Sequence, residues 1–473
     1  MTIQRSFDAT IVEKPAPETG APGPLLAKIF IAALAVRWAY ALSMYAVMGE
    51  SGLKGLDSIT YVGLARTFAE AISTGNVHGV GWLGDAPYMM PLFHWLTMLP
   101  MLLSATMGPL IYVLLQGAID SGACIIVYFL GRSLDPRLAL PSAIVAIFNP
   151  TQIVLSGLVY TDTPFTFFVA LAILRLGRWV RTPSLRNAAL AGAALGCAAT
   201  IRMSIAPWAF FAIALLAVYA LWRRVPLRRV ATLVATLLVF AAGLGVIVTR
   251  NIGQYGEAAL SPQGGDYLTL WVVPLAKEAQ DRTPYTTTYD LMVKRTTDRY
   301  GPPSANPFEQ SRRYQDIGRE ALRNEIHISS LVKSWLSGMF INLVSPAHLL
   351  SPPVSQLPRT GFYDTPGNSF PEKAFNYAFR SGNPIYTILL LIGTVGLAAV
   401  RLVQCIGLWT LVRERKLWPH LFFAATWIGF LLLLNGPIAS PKYRLPLEPF
   451  FDVLTAAGLM AMYWRLRRDP RPA

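Results

Sequence analysis

The sequence predicts an all-α polytopic membrane protein of about ten transmembrane helices, and three observations carry that prediction. Of the 473 residues, 53% are hydrophobic and 14% charged, and the apolar runs repeatedly reach the roughly 20 residues needed to cross ~30 Å of hydrocarbon. Six basic segments punctuate those runs: Arg5, Lys14 and Lys28; Arg132 and Arg137; Arg175, Arg178, Arg181 and Arg186; Arg223, Arg224, Arg228 and Arg229; Arg413, Arg415 and Lys416; and Arg465, Arg467, Arg468 and Arg471. Each consecutive pair of basic segments leaves room for two spans, so all six are expected on the cytoplasmic side, with both termini inside.

Spans are expected near 27–48, 109–131, 138–156, 161–179, 187–202, 204–222, 229–249, 384–411, 418–436 and 447–464. Residues 1–24 are rich in Pro, Ala, Thr and charge and lack a short apolar core with a cleavage site, so they read as a disordered cytoplasmic tail. The membrane module then covers 25–249, with a long first outer loop at 49–108. Within that loop the stretch from Pro87 to Leu103 is apolar but broken by Pro87, Pro91 and Pro100, and reads as re-entrant or surface-lying. Residues 250–383 form an outer segment of helices and loops, and 384–473 the last spans and a basic tail. In the outer segment, Asn306-Pro307-Phe308-Glu309 has the pattern of a helix start with Glu309 completing a partial capping box.

The net charge of +15 sits mostly at span ends, where it orients helices and meets anionic headgroups. No basic stripe is interleaved with aromatics, so a nucleic-acid partner is not expected. Cys124, Cys197 and Cys405 lie in apolar runs without metal-ligand spacing and read as packing residues. Asp120 lies in mid-span four residues after Gln116, and a hydrogen bond to that glutamine or another neighbour is the first reading of it.

The predicted topology brings polar residues to one depth on the outer face. Asp57 and Tyr61 open an amphipathic helix after the first span, and Asp162 and Arg202 lie at hairpin apices. Arg250 ends the seventh span, and Lys442 and Arg444 occupy the last outer turn, against the positive-inside bias. Carboxylates beside guanidinium groups at headgroup level suit a sugar carried on a lipid phosphate: arginine holds phosphate oxygens by paired charge-assisted bonds while the lipid stays in the bilayer.

Leu56-Asp57-Ser58-Ile59-Thr60-Tyr61 resembles the first-loop acidic motif of GT-C fold, polyprenyl-phosphate-sugar-dependent glycosyltransferases, especially the protein mannosyltransferase and aminoarabinose transferase relatives. Val159-Tyr160-Thr161-Asp162-Thr163-Pro164-Phe165 is similar to their second acidic motif. Thr249-Arg250-Asn251 with Gly264-Gly265, and Lys442-Tyr443-Arg444-Leu445-Pro446-Leu447-Glu448-Pro449, resemble later signatures.

That resemblance implies a hexosyl- or pentosyltransferase of the bacterial inner membrane, with its active site on the periplasmic face. The donor would be a polyprenyl-phosphate sugar, and the acceptor a glycolipid, glycan or protein. Asp57 would act as base in an inverting transfer and Asp162 would orient acceptor or sugar. Arg250, Arg444, Lys442 and Arg202 would hold the donor phosphate, and Tyr61, Asp85, Tyr88, His94, Tyr443 and Glu448 would line the substrate site. Two departures bear on chemistry. Asp57 is followed by Ser58 where protein mannosyltransferases carry adjacent acids, which leaves a divalent metal open, and Asp85-Ala86-Pro87-Tyr88 stands where aminoarabinose transferases have a lysine. A transporter or flippase of lipid-linked glycans is the rival class; it would use Asp120, but shows neither repeat symmetry nor broken midplane helices in sequence.

Overall fold

The computed structural model describes residues 23–76, 83, 84, 86–380 and 382–466, and the secondary structure among them is helical throughout. The tail read at 1–24 lies almost wholly outside the described residues, as does Asp85. The membrane portion begins with α1 (Gly23–Met48), α2 (Leu56–Ser73), α3 (Pro91–Leu103), α4 (Gly108–Leu134), α5 (Ala139–Phe148) and α6 (Pro150–Ser156). It continues through α7 (Asp162–Arg181), α8 (Leu185–Ala199), α9 (Ala206–Trp222), a short α10 (Leu227–Val230) and α11 (Leu233–Tyr255). The outer segment holds α12 (Gln263–Asp266), α13 (Val273–Asp281), α14 (Tyr285–Tyr300), α15 (Pro307–Asn324), α16 (Ile328–Val344), α17 (Pro352–Ser355) and α18 (Phe370–Phe379). Three long helices close the chain: α19 (Pro384–Val412), α20 (Trp418–Asn435) and α21 (Glu448–Leu466).

Eight stretches among the described residues are long and apolar enough to cross a membrane, and the α5–α6 pair makes a ninth if its 50° bend lies within one span. The remaining expected span, 187–202, is the 15-residue α8. It approaches α11 closely because Gly192, Gly196 and Gly243 leave room for backbone contact; a Cβ on Gly243 would lie 2.7 Å from the Gly196 Cα. The bend between α5 and α6 has a local cause. Pro150 cannot donate to the preceding turn, and the Asn149 side chain accepts from Thr151 N at 2.9 Å, starting a new helix there. α3, 13 residues long, is too short to cross and lies against α2 and α4.

Among the described residues, the basic segments at 132–137, 175–186 and 413–416 lie at one end of the bundle. Arg181 donates to the Ser133 carbonyl, Arg178 lies 5.0 Å above the Phe129 ring, and Leu138, Leu411 and Leu417 share one apolar cluster with Ala457. The Arg178 and Arg181 charges also complement the C-terminal dipole of α7.

The outer segment has a small core of its own, built from Leu270, Val273, Met292, Ile317 and Ala321. α15 starts at Pro307 behind Asn306, whose side chain accepts from Phe308 N at 3.0 Å. Glu309 does not complete the capping box expected from its position. Its carboxylate accepts from Ser304 Oγ at 2.7 Å and Arg313 at 2.6 Å instead, while Asn306 N donates to Ser304 Oγ. α16 ties the segment to the membrane bundle: Trp335 Nε1 donates to the Leu433 carbonyl at 3.0 Å, and Gly338 lets the helix touch Gly436 and Pro437 at the end of α20.

Candidate active site

Asp57 stands in the first turn of α2, but it is not the cap. Gly55 occupies that position, its N–H donating to Ser58 Oγ at 2.9 Å, and Ser58 Oγ in turn donates to the Val159 carbonyl at 2.9 Å. Gly55 is required here because a Cβ would collide with the Tyr160 phenol. The loop before α7 is therefore laid directly on the start of α2. α4 fixes that loop from below: Gln116 Nε2 donates to the carbonyls of Leu155, Ser156 and Leu158 at 3.2, 2.9 and 2.7 Å, at and just past the end of α6. Tyr112 adds a bond to the Tyr160 carbonyl at 3.3 Å.

This docking brings two acid–base pairs together. Lys442 donates its ammonium to Asp57, and Arg202 donates to Asp162 at the first turn of α7. Tyr443 lies between the cations, 5.2 Å from the Lys442 ammonium and 5.9 Å from the Arg202 guanidinium. Tyr160 lies 5.4 Å from Lys442 and Phe165 5.5 Å from Arg202, so both cations rest on aromatic faces. The two carboxylates differ in access. Asp57 is 41% exposed and Asp162 only 4%, so Asp57 is the more accessible of the two. Tyr61, packed edge-on to Phe93 at 5.1 Å, is pushed up to about 12 by burial and by the Asp57 charge, and Tyr160 is likewise raised by burial. Both phenols therefore stay neutral hydrogen-bond donors near neutral pH.

Tyr160 lies within the second acidic motif, and its contacts with Gly55 and Lys442 bring it to the cluster. Among the described residues no three His, Cys, Asp or Glu side chains converge as ligands for a cation. Each cluster carboxylate already faces a basic group.

The other sequence candidates lie elsewhere. Arg250 is buried and holds the first outer loop, donating to the carbonyls of Met89 at 2.7 Å and Ala86 at 3.3 Å and to Asn251 Oδ1 at 3.0 Å. Tyr88 belongs to that loop and faces Asp266, with its phenol raised by burial and by that carboxylate. His94 is fully buried on α3, its ring 4.7 Å from Phe68. Burial, aided by the Arg250 charge, lowers its imidazole to about 4 from 6.5. The unfolded chain thus takes up this proton before the folded one does. Stability should be full above about pH 6.5 and fall by roughly 1.4 kcal/mol per unit as pH drops toward 4. Thermal melts in detergent at pH 7 and pH 5 read this, and His94→Phe should flatten the dependence.

Arg444 and Glu448 face into the protein. Arg444 donates through Nε to Glu448 at 2.6 Å, through one terminal nitrogen to the carbonyls of Asn342, Leu343 and Ser345 at 3.1, 3.3 and 2.8 Å, and through the other to Thr151 Oγ1 at 3.0 Å. With every guanidinium nitrogen bonded to protein and 1% of the side chain exposed, Arg444 is a tie between α16, α6 and α21. Glu448 also accepts from Asn149 Nδ2 at 2.9 Å, and that same amide donates to Asp452 at 2.8 Å. Asp120 does not bond to Gln116. It accepts from Arg37 Nε at 2.8 Å, and Arg37 further donates to the carbonyls of Ile147 and Ala146 at 2.7 and 3.0 Å, next to the α5–α6 bend. The sequence signal for this pair was Arg37 itself, a cation in the middle of an apolar run.

Residues 85–248 match the family described as Dolichyl-phosphate-mannose-protein mannosyltransferase. Two crystal structures of ArnT from Cupriavidus metallidurans are similar at 15% identity. The apo structure covers 92% of this chain and 76% of that one with a TM-score of 0.35. The structure bound to undecaprenyl phosphate covers 93% and 78% with a TM-score of 0.36. At those scores the likeness transfers neither ligand nor reaction. Among curated proteins no sequence match was found. The family match covers about a third of the chain, and the matched residues include Asp162 and Arg202.

Proposed function

We propose that the chain transfers one hexosyl or pentosyl residue from a polyprenyl-phosphate donor to an acceptor at the periplasmic face of the bacterial inner membrane. The observation that carries this reading is the meeting of Asp57–Lys442 and Asp162–Arg202 around Tyr443, from segments far apart in sequence. In the free protein the cations neutralise the carboxylates. A donor phosphate recruits Lys442 and Arg202 by charge-assisted hydrogen bonds and releases Asp57. Asp57 then takes the proton from the acceptor O–H or N–H as that atom bonds to the anomeric carbon. The bond from anomeric carbon to phosphate oxygen breaks on the opposite face, its electron pair leaving with polyprenyl phosphate, so configuration inverts. A phosphate leaving group is stable as an anion, and the two cations supply the stabilisation a general acid would otherwise give.

Asp162 holds Arg202 and the sugar-facing side of the cleft. Arg250 shapes the loop bearing Tyr88, ahead of α3, and Arg444 with Glu448 sets the segment that carries Lys442. In this reading 25–249 and 384–473 are the membrane body, 250–383 is the periplasmic cover, and both termini are cytoplasmic. The gathering of basic segments at one end of the bundle supports that orientation. A transport reading would draw on Asp120, but that carboxylate is bound to Arg37 with both side chains 1% exposed.

Mass spectrometry of envelope lipids, polysaccharide and glycoproteins from a deletion strain tests the proposal. One species should lose a single sugar mass and regain it only with the wild-type gene; an unchanged envelope would remove the transferase reading.

A further inference from the structure

An apolar groove and a cavity lined by cations meet on α16, and together they have the form of a site for one amphipathic molecule. Val332, Leu336 and Phe340, spaced by four residues on one helix face, are each more than half exposed. With Phe370 they line the groove. α16 is fastened by Trp335 and Gly338 to the end of α20, the apolar span that leads to the Lys442 segment. Lys333, Ser337 and Phe370 line the groove and also a cavity of about 190 Å³ behind it. The two spaces therefore share a wall.

The cavity mixes apolar walls with a positive set of side chains. Three cations, Arg282, Lys333 and Lys373, line it against one carboxylate, Glu278, which is paired with Lys373. Arg282 donates to the neutral Asn368 at 3.4 Å. Tyr363 forms the inner wall, and its hydroxyl accepts from Ala439 N at 3.0 Å, three residues before Lys442. The cavity therefore backs onto the segment that presents Lys442 to Asp57.

We infer that the acceptor is a membrane lipid with an anionic, hydrogen-bonding headgroup, its acyl chain on the α16 groove and its head in the Arg282–Lys333–Lys373 cavity. This rests on the transferase reading for the word acceptor, while the lipid site stands on its own geometry. The cations draw a phosphate or carboxylate, the neighbouring hydroxyl and amide groups of Ser334, Ser337 and Asn368 suit a polyol or sugar head, and the groove takes the chain. The donor is the less suited occupant, because its phosphate is already provided for by Lys442 and Arg202 on the other side of Tyr363. Two separate cationic groups fit two different lipids.

The test uses the whole chain in nanodiscs of phosphatidylethanolamine and phosphatidylglycerol, with phosphatidylglycerol carrying a diazirine either on the headgroup or on the acyl chain. Peptide mapping should place headgroup labels at Glu278 and Asn368 and chain labels at Leu336 and Phe340. Lys333→Glu, an exposed change that leaves the fold intact, should cut headgroup labelling about tenfold, the loss of one charge-assisted bond. Labelling of the exposed row Ile388, Ile392 and Val395 on α19 should not change. Absence of headgroup label from the cavity overturns the inference, as does its displacement by free polyprenyl phosphate, which would make this the donor's site. The readout needs no turnover, so the two readings fail separately. A labelled cavity in a chain that transfers no sugar supports the lipid site and removes the transferase; an unlabelled cavity in a chain that does transfer overturns the lipid site alone.

Discussion

Asp57→Asn will lower the rate of sugar transfer by about 10²- to 10⁴-fold, the range general-base catalysis contributes, while expression and melting temperature stay near wild type. The substitution keeps the shape and removes the proton acceptor. It should be structurally mild because Asp57 does not cap α2, a task held by Gly55 and Ser58, and because its 41% exposed carboxylate makes a pair of the kind worth about 0–1 kcal/mol. Donor affinity should hold or rise, since Lys442 is freed for phosphate. Purified protein assayed with a synthetic polyprenyl-phosphate sugar, with donor binding measured separately, resolves the two effects. Wild-type turnover by this variant would take Asp57 out of the mechanism, and the Asp162–Arg202 pair would become the next candidate.

Arg37→Met will cost about 3–5 kcal/mol, the penalty for leaving a buried charge without its partner. Asp120 would face apolar surroundings, and the Ala146 and Ile147 carbonyls at the α5–α6 bend would lose their donor as well. Loss of thermal stability in detergent is the readout. Arg37→Met combined with Asp120→Leu should recover most of it, because an apolar pair of similar volume avoids the desolvation of both ions. A double variant as unstable as the single one would show that the carbonyl contacts, not the ion pair, dominate. Transfer by the recovered double variant should be close to normal, which separates this pair from catalysis.

The long spans were legible because uninterrupted apolar sequence has few alternatives in length or partner, and the basic segments set the parity. The juxtaposition of Asp57, Tyr61, Asp162, Arg202, Lys442 and Tyr443 could be anticipated from side and depth alone. What sequence could not give was side-chain direction within one turn. Lys442, Tyr443 and Arg444 are consecutive, yet the first two face the cleft and the third faces the core, because the 3-10 turn at Pro441–Leu447 rotates successive side chains by about a third of a circle. Arg250 was similarly visible as an outer arginine but not as the donor to Met89 and Ala86, since main-chain carbonyls leave no mark on residue type. The α5–α6 bend was within reach: Asn149-Pro150 announces a restart, but apolar continuity on both sides outweighed it.

The grip of Arg444 on the end of α16 has a mechanical result. Its contacts to the Asn342, Leu343 and Ser345 carbonyls make the outer segment and the Lys442 backbone one stiff unit, joined two residues from the reacting groups. A lipid that tilts α16 cannot leave the ammonium where it was. Under the proposed function, a movement of the outer cover would therefore be felt as displacement of a charge at the cleft.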